Sequence, residues 1–431
     1  MNQQQRDIEE ERKQATFDVR KLVHILNGGE HNTKSIEKVK KMIEADPVFS
    51  FADRYFLTKE ERYTQGLQKF SHFRELLATH QLDSLTPFER SLFENNSCRY
   101  HAMSLHSTMF LPTLRSQLDE EQTKYWLPKA ENYDIVGCYA QTELGHGSNV
   151  RGLETISVFD IENDHFIIHS PTITSSKWWP GSLGKTATHA IVHARLLLPK
   201  DKYIKVSNMD FNNLDETLFE DKGIHGFIVQ LRCLQTHQHM EGVKSGEIGP
   251  KYGTNENDNG FLRLTKVKVP RNQMLSKFQK VEKDGTYHVK NQKNSKLSYG
   301  TMLYIRAGIV EGAGKSLAMA STISIRYSSI RRQFSADEDE EKGSRPLELK
   351  VLDYQSQQYR ILPHLATSYG LLATGQYMRS LYMKLQQGIK SGDLDSLPEV
   401  HATSSGLKAI TTILASEGIE ECRKYYLFIY L

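Results

Sequence analysis

AQTELGHGSNVRGLET, residues 140–155, sets Gly145, Gly147 and Gly152 in one short polar run, and the reading of those glycines decides the fold class. A dinucleotide fingerprint places its glycines on the turn between a buried strand and a helix, whose N-terminus receives the pyrophosphate. Here the third glycine comes too late in the run. The downstream ETISVFD (154–160) is rich in β-branched residues and reads as a strand, not a helix. What remains is a Gly-rich loop between strands. Thr142, Ser148 and backbone N–H groups in that loop can donate to a planar polar ligand.

Strand texture continues outward in HFIIHS (165–170), HAIVHARLLL (189–198), GIHGFIVQLR (223–232) and FLRLTKVKVP (261–270), separated by Gly, Pro, Asn and Asp clusters. The Asp-, Asn- and Lys-rich run 199–223 reads as a solvated insertion. Upstream, charged helical stretches such as SIEKVKKMIEA (35–45) alternate with breaks at Gly28-Gly29, Asp46-Pro47 and Thr86-Pro87. Downstream, residues 300–334 are apolar nearly all round, as in a helix buried between others, and two further helical segments follow. The expected fold is α+β and multidomain. A helical N-terminal domain (1–137), a central β-barrel or sandwich domain (138–280) and a C-terminal helical bundle (292–431) follow one another.

At 431 residues the chain is long for one core. Its 55 basic and 52 acidic side chains leave a net charge of +3, which gives no electrostatic case for nucleic acid. Cys98, Cys138, Cys233 and Cys422 lie far apart, without the spacing of a disulfide framework or a zinc site. No metal is expected: His101 and His106 are five apart, and His237 and His239 have no carboxylate or cysteine company. No segment reaches the eighteen or so continuous apolar residues of a membrane span. The opening MNQQQRDIEEERKQ has no apolar core for a secretory signal.

Two further stretches carry chemistry. In SSKWWPGSLGKTATHA (175–190) tandem tryptophans run into Pro180-Gly181, which suggests a wall against a flat aromatic ligand, with core packing as the alternative. RRQF (331–334) and YQSQQYR (354–360) place Arg331 and several glutamines on neighbouring helices; arginine suits a pyrophosphate, glutamines suit amide and hydroxyl partners, and solvated faces are the bland reading.

Seven blocks in order, ERKQATFDVRKLVHILNGG, YAQTELGHGSNVRGLET, KWWPGSLGKT, GEIGPKYGTNENDNGFLRL, VPRNQML, KLSYGTM and RYSSIRRQF…LDYQSQQY, resemble the signature blocks of peroxisomal acyl-CoA oxidases, a branch of the acyl-CoA dehydrogenase superfamily. The resemblance runs from about Glu11 to Arg423 and implies FAD held among the three segments and across a homodimer. It implies that Tyr139, Ala140, Gln141, Thr142, Gly147 and Ser148 approach the isoalloxazine, with Trp179 covering the ring. Gly181 stands where dehydrogenase relatives usually place a threonine. Arg331, Gln357 and Gln358 are implied for the dinucleotide, and Lys296, Leu297, Ser298, Tyr299 and Arg306 for the acyl-CoA substrate. The implied reaction is α,β-desaturation of a fatty acyl-CoA to the trans-2-enoyl-CoA, with O2 as electron acceptor and hydrogen peroxide as product, in fatty acid β-oxidation.

The family's catalytic base stands on a Phe-Glu-Gly segment beyond a Gly-Gly-His-Gly-Tyr type loop, whereas here IEECR (419–423) runs into KYYLFIYL (424–431). The expectation is a C-terminally truncated member, inactive as written, with no catalytic residue identifiable. The alternative is a non-catalytic FAD- or acyl-CoA-binding, or dimerising, remnant. Some dehydrogenase relatives carry the base on the helix beginning near Gly300, where Ile305 holds the matching position; Glu311 on that helix reads as structural. The resemblance implies a peroxisomal setting, but Ile429-Tyr430-Leu431 is not the peroxisomal tripeptide, which points to the cytosol for a true truncation.

Overall fold

A computed structural model describes residues 2–98, 101–290, 300–334, 348–391 and 393–427. Seven helices come first: α1 (Gln3–Lys13), α2 (Val19–Leu26), α3 (Glu30–Ala45), α4 (Lys59–Ala78), α5 (Pro87–Ser97), α6 (Leu111–Gln117) and α7 (Glu120–Glu131). Strands follow: β1 (Gly137–Ala140), β2 (Ile156–Asp160), β3 (His165–His169), β4 (Lys177–Trp178), β5 (His189–Pro199), β6 (Phe219–Gln230), β7 (Val243–Glu247), β8 (Gly260–Leu264), β9 (Val267–Pro270), β10 (Gln279–Val281) and β11 (Tyr287–Val289). Three long helices close the described chain: α8 (Gly300–Ile330), α9 (Gln355–Ser391) and α10 (Leu397–Leu427). Helices, strands, helices is the expected order. By contact, however, the chain divides into two compact units, Ser35–Ser298 and a discontinuous one made of Met1–Lys34 with Tyr299–Leu431.

In the first unit β5 is the spine of a six-stranded sheet. It pairs in parallel with β1 (Gly137 opposite His189) and β2 (Ile156 opposite Arg195), and antiparallel with β6 along its other edge; β3 and β9 extend the sheet beyond β2. A three-stranded sheet, β4-β8-β7, shares its buried cluster, so the expected barrel or sandwich is an open curled sheet backed by a smaller one. Along β5 the period of two assigns each face. Ala190, Val192, Ala194 and Leu196 enter the cluster between the sheets; Ile191 joins Phe110, Leu114 and Trp126 of the helical layer; Leu197 packs on residues 204–219. Both faces are covered, which is why HAIVHARLLL carries so many apolar residues.

The run 199–223 departs from its expectation. Val206 and Phe211 are buried against Ile156, Val158 and Ile167, with Ile204, Met209 and Leu214 packed beside them. Its charged residues face water while its scattered apolar ones close one face of the sheet.

Between α5 and α6 the backbone widens into a π-helical turn, His106–Phe110, closed by Leu111 N–H donating to the His106 carbonyl. Pro112 has no N–H to continue an ordinary ladder, and the widened turn absorbs the loss. The turn buries His106, whose Nε2 lies 2.9 Å from the Ala130 carbonyl while Gly137 N–H donates to Nδ1 at 2.9 Å. His106 is therefore a core histidine joining helix to strand, and His101 stacks on Phe70 at 4.6 Å. Among the described residues no group of three or more His, Cys, Asp or Glu could hold a metal ion, and no helix is long and apolar enough to cross a membrane.

Burial pushes the imidazoles of His101, His106 and His189 down to about 4. An unfolded imidazole titrates near 6.5, so these groups contribute stability that is complete above that value and lost as pH falls toward 4. By pH 5 the loss is about 2 kcal/mol per histidine. Urea midpoints measured from pH 7.5 to 5 should fall steeply, and a flat profile would show that these rings carry charge in the native state.

In the second unit α8 packs against α9, α10 and α1. Glycines allow close approach of two backbones: a Cβ on Gly314 would lie 2.8 Å from Leu372 N, and one on Gly375 would lie 2.7 Å from Glu311 Cα. Helix α1 is held by Asp7, fully buried, which accepts from the Arg332 guanidinium at 2.7 Å, and by an ion pair between Glu11 and Lys350. The expectation of a helix α8 buried all round is met only in part, since Tyr304, Met319 and Ile323 are exposed among the described residues.

Candidate functional site

The loop that follows β1 is anchored at its root and open at its tip. Thr142 O accepts from Trp178 N–H at 3.0 Å and Leu144 N–H donates to Ser176 O at 2.8 Å, which brings the Gly-rich stretch alongside the Trp-Trp stretch. Glu143 is buried and ion-paired to Lys177 at 2.9 Å. At the tip, Gly147 and Ser148 are exposed, and a Cβ on Gly147 would meet nothing within 4 Å. Gln141 and Thr142 are half-buried, Ala140 is buried in the sheet, and Tyr139 sets its hydroxyl 3.3 Å from His193 Nε2. A second carboxylate, Glu154, braces the loop: it accepts from the Thr174 hydroxyl at 2.8 Å and faces His146 Nε2 at 3.0 Å.

The two tryptophans part company. Trp178 lies in β4 opposite Phe261, half-buried, as an ordinary sheet residue. Trp179 is 55% exposed at φ +87°, a left-handed conformation that is strained for a residue with a side chain. It is held there by its N–H donating to Gly260 O at 3.0 Å and its carbonyl accepting from Asn259 Nδ2 at 2.5 Å. Gly181 follows, and the nearest atoms to a Cβ there are those of Leu105 at 3.9 Å, so space is open beside it. Within this unit the structure thus gathers Tyr139–Thr142, Gly147, Ser148, Trp179 and Gly181 around two adjoining loops. Sequence reasoning missed Asn259, Glu143 and Lys177; the Asn-Gly pair 259–260 and the Lys before Trp178 were the available signals.

The remaining expected residues lie in the other unit. Arg331 follows the last turn of α8 with its side chain exposed, and its carbonyl accepts from Val351 N–H at 2.8 Å. Gln357 is buried and donates to Ser328 Oγ at 2.8 Å, while Gln358 donates to Leu352 O at 3.0 Å. Both amide nitrogens are thus engaged: Gln357 ties the start of α9 to the end of α8, and Gln358 holds the residues that lead into α9. Arg306 is half-buried on α8, its guanidinium 3.3 Å from His401 Nε2. Lys296, Leu297, Ser298 and Tyr299 lie outside the described residues.

Residues 18–136 match the acyl-coenzyme A oxidase N-terminal family and residues 299–426 match the acyl-CoA oxidase C-alpha1 domain. Peroxisomal acyl-coenzyme A oxidase 1 of Rattus norvegicus is 40% identical over 420 residues, 97% of this chain and 59% of the relative. This chain belongs to the acyl-CoA oxidase family. Its fold is similar to that of an acyl-CoA oxidase from tomato, Lycopersicon esculentum, with TM-score 0.86 and 39% identity over 98% of this chain and 61% of that one. It is also similar to acyl-CoA oxidase-2 of Caenorhabditis elegans, solved with FAD, ascaroside-CoA and ATP, with TM-score 0.84 and 38% identity over 97% of this chain and 60% of that one. The chain therefore spans about three-fifths of the length of these acyl-CoA oxidases.

An acyl-CoA oxidase needs a base for the substrate α-proton, and Glu311 is the single acidic side chain of α8. One of its oxygens pairs with Lys315 at 2.5 Å and the other with Arg379. Burial alone would raise its pKa, but the two cations together hold it below the ordinary carboxylate range. A carboxylate so paired is a weak base and a firm link between α8 and α9. Ile305 is half-buried and offers no acceptor.

Proposed function

We propose that this chain binds FAD and a fatty acyl-CoA as an acyl-CoA oxidase does, and that its described residues hold the ligands without carrying the base of the reaction. The observation that carries this reading is Trp179, a large apolar ring kept in a strained, exposed conformation beside the open space at Gly181 and next to a donor-rich loop. Such a ring gains contact area only when a flat ligand lies against it.

Bound there, FAD supplies the acceptor for the hydride removed from the substrate β-carbon, with O2 as final electron acceptor and hydrogen peroxide as product. Trp179 and the Gln141–Ser148 loop orient the ring and keep bulk water from it. Arg331 offers a permanent cation for the pyrophosphate, and Arg306 one for the acyl-CoA side. Lys296–Tyr299 complete the acyl-CoA site in this reading, and a homodimer completes the assembly. Removal of the α-proton needs a carboxylate within hydrogen-bond reach. Glu311, doubly ion-paired, and Ile305 do not provide one, so in this reading neither residue of α8 acts as the base. The relatives' names place them in the peroxisome, and the same setting is proposed for the pathway served here.

The purified chain, incubated with excess FAD and desalted, should retain flavin with a shifted visible spectrum. Anaerobic addition of a long-chain acyl-CoA should perturb that spectrum without bleaching it. Rapid bleaching would expose a working base, with Glu311 the first residue to replace; no spectral shift at 100-fold excess FAD would remove the flavin reading altogether.

A further inference from the structure

Lys177 and Glu143 are both completely withdrawn from water. The Lys177 ammonium gathers three acceptors: Glu143 Oε1 at 2.9 Å, the His193 carbonyl at 2.6 Å and the Gln141 carbonyl at 3.2 Å. The Glu143 carboxylate in turn accepts the N–H of Glu154 at 2.8 Å, the N–H of Thr155 at 3.0 Å and the Thr155 hydroxyl at 2.5 Å. Together they fasten both ends of the loop 141–155, at Gln141 where it leaves β1 and at Glu154–Thr155 where it enters β2, to the same point of the sheet. Burial pulls the ammonium pKa down to about 8, and attraction to Glu143 works against that fall.

A buried pair of this kind is no stabiliser in itself, because desolvation of two charges offsets their attraction and an apolar pair of similar size often folds as well. What an apolar pair cannot do is hold a carbonyl. In a trans peptide the C=O and the next N–H point in opposite directions. With the Gln141 carbonyl drawn inward to Lys177, the Thr142 N–H is turned away from the ammonium.

We propose that the Lys177–Glu143 pair is a positioning device for ligand recognition: it locks the Gln141–Thr142 peptide so that the Thr142 N–H stands as a fixed donor to the flavin. The proposal rests on the reading that this loop faces FAD. Neither residue touches the ligand; both act through the loop backbone.

The test is the neutral double variant Lys177→Met with Glu143→Gln. Glutamine keeps one acceptor, for the Thr155 donors, methionine keeps the length of the lysine stem, and the ammonium that holds the two carbonyls is gone. Three readouts are taken with FAD as the probe: thermal midpoint, amide exchange by mass spectrometry, and FAD affinity by quenching of flavin fluorescence. The expected result is a folded protein whose exchange rises about tenfold or more in peptides covering 139–146, unchanged in those covering β5, with FAD affinity about tenfold weaker, the size of one charge-assisted hydrogen bond. Unaltered loop exchange and FAD affinity in the folded variant would overturn the proposal, as would faster exchange spread equally over β5. If neither protein binds FAD while the loop alone exchanges faster, the positioning role stands and the flavin reading fails. Should the double variant not fold, Lys177→Gln, which retains a donor to one carbonyl, gives the same three readouts with the same meaning.

Discussion

Replacing Phe110 with alanine is expected to lower the unfolding free energy by about 3–5 kcal/mol. The ring is fully buried, lies 5.4 Å from that of His106, and packs with Leu114, Trp126 and Ile191 where the helical layer meets the sheet. It also fills the space that a side chain on β1 would need: a Cβ built on Gly137 falls 2.2 Å from Phe110 Cγ. Gly137→Ala alone is therefore expected to cost about 1–3 kcal/mol through overpacking. The two losses should not add. With the ring removed the new methyl group enters the cavity, and the double variant should be more stable than the sum of the singles predicts by about 1 kcal/mol or more. Urea unfolding of the four proteins closes the cycle. Strict additivity would mean that ring and glycine do not share the space assigned to them.

The second large effect is on ligand affinity rather than folding. Trp179→Ala should weaken FAD binding by about 2–4 kcal/mol, on the order of 30- to 1000-fold, if the ring is covered by the flavin. The unliganded chain should hardly notice the change, because a side chain left 55% exposed contributes little to the core. Trp179→Gly is a useful companion, since it removes the ring and relieves the strain at φ +87° together. Both variants should fold as well as the parent and lose flavin on desalting. Retention equal to the parent's would mean that the indole stands clear of the ligand.

The strands of the first unit were readable because β-branched and apolar runs stood between turn residues, as in HAIVHARLLL and HFIIHS. The run 199–223 was not. Ile204, Val206, Met209, Phe211 and Leu214 follow no period of two or 3.6, so only packing reveals that they cover the sheet. The same holds for Lys177 and Glu143. One lysine before a tryptophan and one glutamate in a polar loop look solvated until the fold brings them together across 34 residues. For the ligand residues, the resemblance to a known family pointed to positions that spacing alone left open. In the first unit those positions fall on two stretches that hydrogen-bond to each other at their roots; in the second the amides of Gln357 and Gln358 are already engaged. Local texture also divided the chain into three, because the contacts that bind α1 to Arg332 and Lys350, between α8 and α9, span more than 300 residues and leave no mark on either stretch.

That last arrangement governs how the protein is made. Asp7 emerges from the ribosome 325 residues ahead of the arginine that receives it, and Glu11 precedes its lysine by 339. At about 5–20 residues per second, α1 waits on the order of 15 to 65 seconds for its partners. The whole of Ser35–Ser298 is complete in the interval and free to fold first. The nascent N-terminal helix, rich in charge and poor in apolar residues, is suited to that wait in water, and its docking through Asp7 and Glu11 can come only after synthesis of the chain as far as Lys350.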